Sequence, residues 1–385
     1  MRATGRRLQS CRRKRVWRAA AGVCEMRIIM DIKNKHLEIP LIQGGMGVGV
    51  SLSGLAGAVA KCGGMGVISS VNAGYREADF EKNPVEANLR ALRREIERAR
   101  EEAGGNGLVA VNIMTAVSNY DKTCRAAVKA GADAIISGAG LPLTLPEYTR
   151  GTDVLCAPIV SSARAAKLIA RHYKKHYQVL PDLFVIEGHM AGGHLGFSQA
   201  ELESGTARSN DEILQEVLAV TEEIYASDGL RIPVFVAGGV FDGADMAHFQ
   251  KAGAAGVQIG TRFIATEECD ADRAFKEVIV GAKEEDIILI KSPVGMPARA
   301  VNTPLLKRLA QGETFRAKRC NNCLTTCKKD ESIPYCISRA LIEAVKGNTE
   351  DGLFFTGSNA ARVDRIVTVK ELMDEILSEY REAIS

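Results

Sequence analysis

The chain has 385 residues, of which 46% are hydrophobic and 25% charged, with 37 glycines and a net charge of +3. That length and apolar share suit one large core, or a core with a smaller companion, and exclude disordered, collagen-like and mini-protein architectures. No apolar run of about 18 residues occurs, so no membrane-spanning helix is expected.

The first segment stands apart. Arg2, Arg6, Arg7, Arg12, Arg13, Lys14, Arg15 and Arg18 occur there without an acid, and taking these eight charges from +3 leaves the rest at −5. A mildly acidic remainder points away from nucleic acid as a partner. The head lacks the apolar stretch of a secretory signal. It reads as an Arg-rich targeting peptide or, the preferred reading, as an over-long frame whose natural start is Met26 or Met30. Residues 1–30 are therefore expected outside the fold.

Short apolar runs then recur. Strands are predicted near Pro40–Gly44, Met65–Ser69, Leu108–Met114, Ala134–Ser137, Leu155–Ile159, Leu183–Glu187, Val234–Ala237 and Gly256–Ile259. They do not alternate apolar with polar, as befits parallel strands covered on both faces. Helical patterns separate them at Ser53–Cys62, Pro84–Ala103, Asn119–Ala130, Ala163–His176, Asn210–Ala226 and Ala244–Ala252. Eight such units predict an α/β fold, a closed TIM (β/α)8 barrel over residues 31–265, with a doubly wound open sheet as the competitor. Beyond it, Ala271–Ala282, Ile337–Lys346 and Val369–Ser378 predict an α-helical extension over residues 266–385, covering one mouth of the barrel.

Chemistry in such barrels sits where strands end. Gln43-Gly44-Gly45-Met46-Gly47-Val48-Gly49 follows the first strand, Asn112 closes the third and Ser137-Gly138-Ala139-Gly140 closes the fourth. Ala237-Gly238-Gly239-Val240 ends the seventh, and Gln258-Ile259-Gly260-Thr261-Arg262 ends the eighth. Glycine loops in these last two units are expected to converge their amides on a phosphate. No Walker lysine loop or dinucleotide fingerprint is present. After the sixth strand comes Glu187-Gly188-His189-Met190-Ala191-Gly192-Gly193-His194, in which His194 is the expected base and His189 a second choice turned to solvent. His36, His172, His176 and His248 lie in polar contexts and read as surface residues.

Together, Gln43–Met46, Glu187-Gly188, Ala191–His194, Ala237–Val240 and Gly260-Thr261-Arg262-Phe263 resemble the nitronate monooxygenases, a family shared with flavin-dependent enoyl-acyl-carrier-protein reductases. The resemblance runs from about Pro40 to Arg299. It implies non-covalent FMN, with Gly45, Met46 and Asn112 along the flavin ring. Gly192, Gly193, Gly238, Gly239, Gly260 and Thr261 would surround its phosphate and ribityl chain, and Glu187 joins the cofactor-binding set. His194 matches the family histidine, the base for the carbon-bound proton of a nitroalkane. Many relatives have an acidic residue where this chain has His189, which bears on substrate choice. Ser292–Arg299 resembles a family loop at the active-site mouth, from which Met296 or Arg299 is expected to reach substrate.

Ten cysteines occur, and four crowd together as Cys320, Cys323, Cys327 and Cys336. This C-x2-C-x3-C-x8-C array suits a tetrahedral zinc site or a [4Fe–4S] cluster. It resembles the iron–sulfur segment of old-yellow-enzyme-like dienoyl-CoA reductases, which favours iron–sulfur over zinc. The scattered remainder reads as reduced thiols of a cytoplasmic protein.

Three functions are thus expected to compete: oxidation of alkyl nitronates, reduction of activated alkenes or nitro compounds, and plain binding of a phosphorylated ligand beside a structural zinc. The partners expected are a small-molecule substrate, an electron donor such as NAD(P)H or a ferredoxin-like protein, and a second copy in a homodimer.

Overall fold

The computed structural model describes residues 29–315, 320–325, 327 and 333–385. The reading of the basic head as foreign to the fold falls on residues 1–28, outside the described residues. Met30, assigned to that head, instead opens a strand. An antiparallel hairpin of β1 (Met30–Ile32) and β2 (Lys35–Leu37) buries Met30, Ile32 and Leu37 among Ile42, Met65 and Leu155 of the barrel interior, closing its N-terminal end.

The staves are β3 (Leu41–Gln43), β4 (Met65–Ser69), β5 (Leu108–Met114), β6 (Ala134–Gly138), β7 (Leu155–Val160) and β8 (Phe184–Glu187). After the two-residue strand β9 (Gly193–His194) come β10 (Val234–Ala237) and β11 (Gly256–Ile259). All staves pair in parallel, and β11 pairs with β3 through Val257↔Leu41 and Ile259↔Gln43, closing an eight-stranded barrel rather than an open sheet.

Each stave packs two ways. In β5, Leu108 and Ala110 join the barrel interior, whereas Val109 and Val111 join the layer beneath the helices. Both faces are apolar, which is why the runs read as continuous. The helices obey local stop signals: Pro84–Ala103 begins on proline and ends at Gly104 in the left-handed conformation. Ser209 and Glu212 form a capping box at the start of Asn210–Asp228.

The extension is not purely helical, which corrects the expectation. Besides helices Pro304–Ala310, Ile337–Val345 and Val369–Ile384, it contains a hairpin of β12 (Ile287–Lys291) and β13 (Pro297–Val301). β13 also pairs with β9, Ala298 opposite His194 and Arg299 opposite Gly193. A two-residue partner strand set between glycines shows no period of its own, so this three-stranded sheet leaves no local signal.

Candidate active site

A cavity of about 430 Å³ opens where the staves end, within the size range of small-molecule sites. It is built from loops that the staves aim inward. After β3, an added Cβ at Gly45 would lie 2.4 Å from Asn112 Cβ, so only glycine lets this loop lie against the end of β5. Ser51 Oγ accepts from the Met46 amide and fixes the next residue. After β10, Gly238 adopts φ +83°, and an added Cβ there would meet the Gly188 carbonyl at 2.7 Å. Neighbouring β11 brings Gly260 and Thr261 to the same hollow. Among the described residues the amide N–H groups of Gly239 and Gly260 have no partner and stand free for a ligand.

All the residues read for cofactor binding line this one cavity: Gly45, Met46 and Asn112 on one side, Glu187, Gly192 and Gly193 beneath the β8 loop, and Gly238, Gly239, Gly260 and Thr261 opposite. His194 lines it too. Of the side-chain polar atoms buried without partners among the described residues, two belong to residues that line the cavity, Gln258 Oε1 and Thr356 Oγ1. Such atoms carry a desolvation cost unless a ligand meets them.

Among the described lining residues, Glu187 and His194 are the only acid and the only histidine, and none is Lys or Arg. Burial acts on each in opposite directions. It raises the Glu187 carboxyl to about 7 and lowers His194 to about 4, because a charge on either would lose water and find no counter-ion. His194 is thus neutral at physiological pH. Its Nε2 lies 2.8 Å from Ser292 Oγ, and its ring meets Phe355 edge-on at 5.4 Å between centroids.

The extension and the helix Asn210–Asp228 supply residues that the motifs did not reveal. Asn359 Nδ2 donates to the Gly239 carbonyl at 2.6 Å, and the Gly357 amide donates to Thr261 Oγ1 at 3.0 Å. Asn210 Nδ2 holds the Gly238 carbonyl at 2.7 Å. None belongs to a glycine motif, and each acts across at least 28 residues of chain. Met296 lines the cavity as expected. Arg299 does not: its guanidinium donates to the His189 and Ala191 carbonyls and clamps the β8 loop from behind. His189 turns to the Arg208 carbonyl, outside the cavity.

The cysteine segment docks beside the β5 loop, with Ser118 donating to the Cys323 carbonyl and Thr325 to that of Ala116. Ser338 Oγ donates to Cys323 Sγ at 3.2 Å. Burial is the main cause that raises the Cys323 and Cys336 thiols, with smaller contributions from the other cysteines of the array. Yet among the described residues no three His, Cys, Asp or Glu side chains converge in a way that could hold a metal ion. The described residues therefore do not show the expected metal site on Cys320, Cys323, Cys327 and Cys336. Cys124, Cys156 and Cys269 are buried thiols raised to about 12 by desolvation, in keeping with inert core residues.

Fold and cavity define a (β/α)8-barrel enzyme whose working end is the C-terminal mouth. The chain belongs to the nitronate monooxygenase family, whose model matches residues 30–379, and it is accordingly an FMN-dependent oxidoreductase. A probable nitronate monooxygenase from Staphylococcus haemolyticus is 35% identical over 132 residues, a match spanning 34% of this chain and only 35% of that protein. A longer match, 26% identical over 89% of this chain and 92% of the other, is to the (3aS,4S,5R,7aS)-5-hydroxy-7a-methyl-1-oxo-octahydro-1H-indene-4-carboxyl-CoA dehydrogenase of Mycobacterium tuberculosis. Among solved structures, FabK from Thermotoga maritima is similar at TM-score 0.65 and 26% identity, covering 90% of this chain and 94% of that one.

FMN fits the residues present. Glycine at 45 and 238 lets the two lining loops pack close against Asn112 and the Gly188 backbone, while the amides at Gly239 and Gly260, unpaired among the described residues, suit a phosphate. The unpartnered Gln258 and Thr356 atoms offer further hydrogen bonds. No helix among the described residues is long and apolar enough to cross a membrane.

Proposed function

We propose that this protein oxidises alkyl nitronates with FMN held in the cavity, His194 contacting the substrate. The carrying observation is that the loops read for FMN and a neutral His194 line one cavity without a lysine or arginine among its described lining residues. Gly45, Met46 and Asn112 would flank the flavin ring, Gly192, Gly193, Gly238, Gly239, Gly260 and Thr261 its phosphate arm, and Glu187 would contact it from the end of β8. Bound FMN supplies a two-electron acceptor and a centre that passes electrons on to oxygen.

A neutral ring is in keeping with the reading of His194 as base, but burial makes that ring a weak base. A nitronate has already lost its carbon-bound proton and asks only for positioning, so nitronates are expected to be turned over faster than neutral nitroalkanes. Anaerobic addition of an alkyl nitronate to the FMN-loaded protein is expected to bleach the flavin bands. Unchanged bands would overturn the proposal.

A second reading is a reductase of activated alkenes, of the enoyl-thioester kind, or of nitro compounds. Near end-to-end similarity to a carboxyl-CoA dehydrogenase and to FabK supports it. It predicts anaerobic flavin reduction by NAD(P)H or by a ferredoxin-like donor, and inertness to both removes it. The four-cysteine segment enters as an iron–sulfur or zinc site on its spacing alone, so no step is assigned to it. Iron and zinc analysis of anaerobically purified protein decides between cluster, zinc and neither. Reduced thiols suit the cytoplasm as its compartment.

A further inference from the structure

We infer that Ser292 is a positioning residue whose hydroxyl caps Nε2 of His194, so that this histidine offers its Nδ1–H as a hydrogen-bond donor to substrate oxygen. The inference deepens the proposed function and rests on its placing of substrate beside His194.

Hydrogen-bond accounting carries it. Ser292 is 2% exposed, so its hydroxyl proton requires an acceptor within the protein. The Val294 amide points at Ser292 Oγ from 3.4 Å and occupies an acceptor side of that oxygen. The acceptor available to the hydroxyl proton is His194 Nε2 at 2.8 Å. A neutral imidazole that accepts at Nε2 carries its proton on Nδ1. Burial in a cavity whose described lining holds no carboxylate except that of Glu187 keeps the ring neutral.

Among the described residues His194 Nδ1 has no partner, so it is the ring atom left for a ligand. The ring cannot easily turn over to exchange the two nitrogens. Phe355 packs edge-on against it, Ala298 pairs with its backbone, and the Leu195 amide donates to the Pro297 carbonyl at 2.9 Å. Every one of these contacts comes from the C-terminal extension, which therefore completes the site as well as covering it. A donor at this point fits the oxygen of a planar conjugated group, a nitronate or a thioester carbonyl, on which negative charge is held or develops.

The test is the tautomer of His194 in the FMN-loaded resting protein, read by ¹⁵N chemical shifts of labelled histidine with a His194→Asn variant for assignment. One tautomer protonated at Nδ1 is expected near neutral pH, and its counterpart protonated at Nε2 would overturn the inference. Ser292→Ala is expected to mix the tautomers and to lower kcat roughly tenfold with KM within about twofold, while Ser292→Thr restores both. An alanine variant that keeps a pure Nδ1–H ring also overturns it. The resting spectrum needs no substrate, so failure of the nitronate reading and failure of this one remain distinguishable.

Discussion

The two ends of the barrel are built on opposite principles. Toward its base, Ile42, Met65, Val67, Leu155, Val185 and Phe235 fill the interior beneath the mouth, and the hairpin of β1 and β2 plugs what remains. At the mouth, glycines replace side chains, amides stand free, and Glu187 and His194 are desolvated without counter-ions. The base spends its residues on packing. The mouth leaves groups unsatisfied that a ligand can satisfy, so binding and stability are drawn from different ends of the same staves.

The contrast breaks most visibly at the base. Phe235 is fully buried in the interior. Phe235→Ala is expected to destabilise the fold by about 3–5 kcal/mol in denaturant titrations while leaving FMN affinity of the folded fraction unchanged. Lost affinity at unchanged stability would show that the ends are not separable. At the mouth, Gly238→Val places carbon against the Gly188 backbone in a left-handed conformation. FMN binding, followed by quenching of flavin fluorescence, is expected to weaken on the order of 100-fold, which is ~2.7 kcal/mol. Tight binding by this variant would remove the Gly238 loop from the phosphate arm.

A smaller effect sharpens the comparison through pH. The Glu187 pKa is raised from 4.5 to about 7, so the stability linked to its proton is complete below 4.5 and is lost as pH rises through 7. Glu187→Gln keeps a neutral group throughout. It should match the parent at pH 4 and exceed it by about 1–2 kcal/mol at pH 8, after discounting for partial contact with solvent. His194 acts on the acid side: its pKa is lowered, so its contribution is present above 6.5 and lost as pH falls through about 4. Smallest of all, Lys61→Ala removes an exposed, solvent-screened partner of Glu102 and should leave the midpoint of denaturant unfolding unchanged.

The staves were legible because parallel strands covered on both faces leave unbroken apolar runs. Met65–Ser69, Leu108–Met114, Val234–Ala237 and Gly256–Ile259 have the bounds that pattern predicts. The glycine loops were legible for a related reason, since the chain there must lie close against neighbouring strand ends and loops. What stayed hidden acts at long range. Ser292 lies 98 residues from His194, and Asn359 lies 120 from Gly239. Neither serine nor asparagine in a loop carries a sign of the partner it will meet. Arg299 misled for the converse reason, because a cation at a mouth suggests substrate while this one spends its donors on two carbonyls. The four-cysteine array shows a regular spacing that the described geometry does not close around a metal.

The most direct test of the central claim compares FMN with riboflavin, which lacks the phosphate, in equilibrium fluorescence titrations of the ligand-free protein. If the loops after β10 and β11 hold that phosphate through free amides, FMN should bind on the order of 100-fold more tightly, ~2.7 kcal/mol. Equal affinity for the two flavins would contradict the account.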